Sequence, residues 1–153
     1  MILELKYGDR PELAAPAAAW MAQTAADVLI EKSLIIPIPV HWQRFLQRKY
    51  NQAEVLAKHV ATHCGAELKT DILRRPRKTV PLKEVNRSAR FLIQENAFEI
   101  NADKVQEMKE RNIVLIDDVM TSGATLSAAA KTLQRAGAGD ISVLVLARVT
   151  ENA

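Results

Sequence analysis

Residues 114–126 read VLIDDVMTSGATL, three apolar positions followed by two adjacent acids and a turn rich in hydroxyls. Ionised carboxylates only accept hydrogen bonds, so Asp117 and Asp118 at the end of a buried strand suit the vicinal hydroxyls of a ribose or a metal ion. Thr121, Ser122, Gly123, Ala124 and Thr125 then form a turn into a helix. The first N–H groups of such a helix have no partner within it, and together with the helix dipole they favour a phosphate. Gly123 lets the backbone approach closely. The acids and the turn together describe a cradle for a ribose 5-phosphate.

Two other readings use the same letters. A hydrophobic strand ending in Asp-Asp resembles the second nucleotide-binding element of ATPases, but the chain lacks the GxxxxGK[ST] loop that such a site requires. The plainer alternative is that the acids cap a helix and the glycine turns the chain. His59, His63 and Cys64 fall on one helix, and a histidine pair at i, i+4 can bind zinc. No third ligand follows at motif spacing, so an ordinary helix surface with a buried thiol is expected. His41 is expected to be a surface hydrogen-bonder, Trp20 a core residue, and Trp42 either core or a neighbour of the ligand.

The elements that must position these residues can be read from periodicity. With 153 residues, 48% of them hydrophobic and 25% charged, the chain fits one domain over 1–153. An early helix lies within 10–30, followed by a strand at 34–38. An amphipathic helix comes next, carrying Ala53, Leu56, Ala57, Val60, Ala61 and Cys64 on one face and ending at Gly65. Short strands are expected near 71–74 and 97–100, longer ones at 112–117 and 141–147, and a helix at 123–136. Near-continuous apolar strands alternating with helices predict a doubly wound α/β fold, a mostly parallel sheet with helices on both faces. Ligands bind such sheets beyond the carboxyl ends of the strands, where the acid pair stands.

Composition narrows the partners. The longest apolar runs fall well short of the roughly 18 residues that span a bilayer, and no cleavable leader opens the chain, so a cytoplasmic protein is expected. One cysteine excludes a disulfide framework or a multi-cysteine zinc module within this sequence. A net charge of +3 favours anionic ligands without announcing a nucleic-acid binder. The basic run from 74 to 90 reads as a solvated, phosphate-facing loop in preference to a nucleic-acid strip, so strong direct nucleic-acid binding is not expected.

VLIDDVMTSGATL resembles the phosphoribosyl pyrophosphate (PRPP) signature of type I phosphoribosyltransferases. IPIPVHWQRFLQRKYNQAEVLA at 36–57, LKYGDRPELA at 5–14 and GATLSAAAKTLQRAGAGDISVLVLAR at 123–148 are similar, in the same order, to segments of the ComF, or GntX-like, family of competence-associated proteins. The resemblance implies that Asp117 and Asp118 contact the ribose hydroxyls of PRPP and that the 121–125 turn holds its 5-phosphate. It also implies a pyrophosphate loop with Arg44, Arg48, Asn51 and Gln52 as its polar candidates, and a mobile loop that includes Arg87 and Arg90. Mg²⁺ would accompany PRPP, with Asp117 or Asp118 as its only candidate protein ligands, and no catalytic residue is assigned. The chain departs from the family pattern at Leu82 and Ile93, where glutamine and asparagine are common, and it lacks the family's four-cysteine zinc ribbon.

Two functions follow from the resemblance. One is a Mg²⁺-dependent transfer of the phosphoribosyl group to a nitrogen acceptor with release of pyrophosphate. The other is a non-catalytic PRPP- or nucleotide-binding protein, or a scaffold that docks on DNA-uptake proteins. Self-association as a homo-oligomer is left open.

Overall fold

The computed structural model describes residues 11–30, 32–40, 50–76 and 96–149. Helix α1 spans Ala14–Thr24, and its Pro16 sits in the first turn, where a missing N–H removes no helical hydrogen bond. Strand β1 is Leu34–Pro37, apolar at every position and wholly buried. Helix α2, Gln52–Cys64, is capped by the Asn51 side chain and terminated by Gly65 at φ 65. Strands β2 (Glu67–Leu68), β3 (Leu73–Arg74) and β4 (Glu99–Ile100) are two residues each. A one-turn helix α3, Val105–Met108, precedes strand β5, Ile113–Met120. Helix α4, Ala124–Arg135, then leads to strand β6, Ile141–Arg148.

The main sheet has the order β2-β1-β5-β6, and every pairing in it is parallel. The connection through α2 carries the chain outward from β1 to β2, while that through α4 carries it the other way, from β5 to β6. The boundary between β1 and β5 is therefore the switch point at which open α/β sheets bind ligands. β3 and β4 do not join this sheet; they form a separate antiparallel ribbon. Two-residue strands carry no readable period, which is why β2 escapes prediction altogether and why the short strands near 71–74 and 97–100 are seen without their pairing.

Side-chain alternation splits the core in two, as a sheet covered on both faces requires. Ile35, Val114, Ile116 and Leu144 pack with α1 and α2. Leu34, Ile36, Ile113 and Leu115 pack with Leu126, Ala129 and Leu133 of α4, with Met108 of α3, with Leu73 of the ribbon, and with Phe98 just before β4. Each large aliphatic side chain so buried contributes about 1.5–3 kcal/mol.

Two expectations about the helices are corrected. Trp20 is 57% exposed, whereas Ala14, Ala17, Ala18, Met21 and Ala22 are the buried face of α1. Four of these five are alanines, α1 shares a buried cluster with α2, and Trp20 lies off that stripe. Cys64 is exposed, while Ala53, Leu56, Ala57, Val60 and Ala61 are buried as expected. Cys64 is the last residue of α2, beyond the sheet's cover.

Candidate functional site

Strand lengths create the site. The β1 ladder stops where Pro37 pairs with Ile116, but the β6 ladder continues to Met120 opposite Arg148. The strand thus runs past the acids, further than the predicted end at 117, and among the described residues the last four positions of β5 are flanked by β6 alone. Asp117 and Asp118 lie on this overhang, next to the switch point.

The acids are bound to their own backbone. Asp118 N–H donates to Asp117 Oδ1 at 2.8 Å, and Val119 N–H donates to Asp118 Oδ1, also at 2.8 Å. Burial, followed by the neighbouring Asp118 charge, pushes the Asp117 carboxyl up from its ordinary 3.8 to about 7; the Asp118 N–H and the Arg75 charge pull the other way. The helix-capping alternative does not describe this pair, because the N-cap of α4 is Gly123 and no side chain caps it.

Gly123 has φ 78, a left-handed conformation that a side chain would strain. Ser122 Oγ accepts from Ala124 N–H at 3.3 Å, holding the turn closed. Asp117, Thr121, Gly123, Ala124 and Thr125 share the lining of a small pocket of about 40 Å³. The structure therefore brings together five of the seven residues read as the ribose-phosphate cradle; Asp118 and Ser122 flank that pocket without lining it.

A second, larger cavity of about 280 Å³ opens beside the end of β1, walled by Pro37, Pro39 and Val40 and carrying Asn51, Glu54, Thr70 and Arg75 as its polar groups. Asn51 is 9% exposed and structurally committed: its Nδ2 donates to Ile38 O at 3.1 Å, and its Oδ1 accepts from Ala53 N–H at 3.1 Å. It thereby fixes the start of α2 to the end of β1. Gln52, 5% exposed, is buried at the first position of α2. Arg44, Arg48, Arg87 and Arg90, with His41, Trp42, Leu82 and Ile93, lie outside the described residues.

Arg75, Thr70 and Glu54 were not singled out by sequence reasoning. Arg75 was visible only as one cation in a basic run, and its proximity to Phe98 comes from the ribbon register, which has no local signature. His59 and His63 are exposed on α2. Among the described residues, no group of three or more His, Cys, Asp or Glu side chains converges as a metal site. No helix among them is long and apolar enough to cross a membrane.

A parallel α/β sheet with paired acids and a hydroxyl-and-glycine turn at its switch point has the form of an open α/β domain whose site lies beyond the carboxyl ends of its strands. The phosphoribosyl transferase domain family matches residues 51–153, and the chain belongs to that family. The ComF resemblance holds as well: Competence protein F of Haemophilus influenzae is 32% identical over 114 residues, which are 74% of this chain and 49% of that protein. DNA utilization protein YhgH of Salmonella typhi is 28% identical over 153 residues, 97% of this chain and 66% of that protein. The chain thus spans only part of the length of these relatives. The glutamine PRPP amidotransferase of B. subtilis, at 15% identity, shares the fold with a TM-score of 0.64 over 95% of this chain and 30% of its own.

Proposed function

We propose that this chain binds PRPP and, with Mg²⁺, transfers its phosphoribosyl group to a nitrogen acceptor, releasing pyrophosphate. The observation that carries the reading is the placement of Asp117 in one small pocket with the 121–125 turn, beside a larger polar cavity at the switch point. In this reading the turn takes the 5-phosphate through its backbone N–H groups and hydroxyls, the acids take the ribose hydroxyls, and the diphosphate points toward the cavity. Displacement at C1 builds positive charge on the sugar and negative charge on the leaving group, so preorganised donors around the diphosphate supply the catalysis.

The donor set fits Mg²⁺ as an ion carried in by the ligand. Mg²⁺ keeps several waters and takes one or two carboxylates plus substrate phosphates, which matches two neighbouring acids and no closed protein cage. When bound, it would neutralise the departing diphosphate.

The relatives' names, Competence protein F and DNA utilization protein, favour a second reading: a PRPP- or nucleotide-binding protein of DNA uptake that binds without turnover, in the cytoplasm, alongside uptake proteins. Calorimetric titration with PRPP, with and without Mg²⁺, followed by a pyrophosphate-release assay across nucleobase and ammonia donors, separates the two. Release with any acceptor supports transfer, binding without release supports the second reading, and absence of binding removes both.

A further inference from the structure

Among the described residues β6 is an outermost strand, with β5 as its one partner. Ile113 N–H donates to the Asp140 carbonyl at 2.8 Å, so Asp140 turns its polar backbone toward β5. Alternation along the strand then turns the N–H and C=O groups of Ile141, Val143 and Val145 outward. Such a row is a template for another strand, and sheet edges are ordinarily guarded by charged side chains or proline. Residues 141–147 read ISVLVLA and carry neither. Val143 is 43% exposed.

The two ends of this edge carry opposite charges. Asp140 immediately precedes β6 and Arg148 closes it, both exposed, and among the described residues neither side chain makes an ion pair. When a second β6 is laid antiparallel on the first about a two-fold axis through Leu144, Val143 faces the copy's Val145 and Ile141 faces its Ala147. Asp140 then faces Arg148 at both ends. The outward backbone groups of Val143 and Val145 meet as hydrogen-bonded pairs. Opposed residues also share a face of the sheet, Ile141 and Val145 on the α4 side and Leu144 and Leu146 on the α1 side. A slip of one residue would set apolar faces against the wrong side, and a slip of two would take Arg148 away from Asp140. One register therefore satisfies backbone, faces and charges together, and a copy of the same strand supplies its own complement.

We propose that β6 is a homodimer interface, in which two copies of this chain pair their β6 strands antiparallel about Leu144 and join their sheets into one, with an Asp140–Arg148 ion pair at each end.

The test is sedimentation equilibrium of the full chain over a range of concentrations, on the wild type, Val143→Lys, Arg148→Asp and the exchange Asp140→Arg with Arg148→Asp, with melting temperatures recorded. The substituted side chains are exposed, so all variants are expected to fold. The wild type should show a monomer–dimer equilibrium. Val143→Lys should be monomeric, because it places a charge on the unguarded edge. Arg148→Asp sets like charges opposite each other at both ends and should raise the dimer dissociation constant by about tenfold or more. The exchange restores opposite charges and should return the constant to within about threefold of the wild type, a recovery that a merely structural role for either residue would not produce. A wild type that stays monomeric overturns the proposal, as it would if another protein's strand were the occupant. Dimers that persist in Val143→Lys also overturn it, and an exchange that does not recover association overturns the register.

Discussion

At the scale of single residues, Asp117 makes the site sensitive to pH. Its carboxyl titrates near 7 in the fold and near 3.8 when exposed. The folded chain therefore holds the extra proton between those values, and stability falls as pH rises through that window. Asp117→Asn removes this slope: its melting temperature should exceed that of the wild type at about pH 8, and the difference should close toward about pH 4, which thermal scans across pH would show. Ligand binding runs in the opposite sense. Ribose hydroxyls seek the ionised acceptor, so wild-type PRPP affinity should climb by up to about tenfold per unit from pH 6 to 7. The ligand's own phosphate ionises near pH 6 for both proteins, so the difference between wild type and Asp117→Asn is the readout. Either Asp117→Asn or Asp118→Asn should weaken PRPP binding at about pH 8 by roughly tenfold or more. Equal PRPP affinity in calorimetry would show that the acids do not hold the sugar.

The 121–125 turn and the start of α2 act as elements, each fixed by one residue. An added Cβ at Gly123 would meet only Met120 Sδ, at 3.7 Å, an ordinary contact. The cost of Gly123→Val is thus conformational: holding a β-branched residue at φ 78 costs about 1–3 kcal/mol. The chain should stay folded with a lowered melting temperature, and phosphate binding should be lost as the turn relaxes. Asn51→Ala removes the α2 cap and the tie to Ile38 at once, with an expected cost of about 1–3 kcal/mol in denaturant unfolding. Asn51→Asp should recover the cap but not the tie. Long elements were legible in the sequence because they repeat: the LIIP run, the apolar stripe of α2 and the strand ahead of Asp117 each carry their own period. The 121–125 turn was legible because its chemistry is contiguous. Arg75 on Phe98 was not, since two-residue strands leave no pattern and their register is set by the core beneath them. Trp20 misled because a large aromatic outweighs small residues in any stripe, although alanines were what the α1–α2 contact required.

Across the whole molecule, a chain of alternating charges fastens the β2 edge to the elements before β5. Arg111 pairs with Glu67 at 2.7 Å, Glu67 with Lys69 at 3.4 Å, Lys69 with Glu107 at 2.6 Å, and Glu107 with Lys104 at 2.7 Å. Lys104, in turn, lies 3.5 Å from Asp71. The Lys104 ammonium first, then Lys69, holds the Glu107 carboxyl down at about 2 against an ordinary 4.5. A depressed carboxyl stabilises the fold above its unfolded value, and that contribution is lost as pH falls from 4.5 toward 2. Glu107→Gln should therefore lower the melting temperature at neutral pH, with the gap shrinking in acid and in high salt, as melting curves would report. The alanine seam between α1 and α2 has a different consequence, one of timing. Because α1 and α2 bury their side chains in one shared cluster, the amides of the two helices should exchange with deuterium as one cooperative unit, opening and closing together. α4, packed across the opposite face on larger side chains, should keep its own exchange clock.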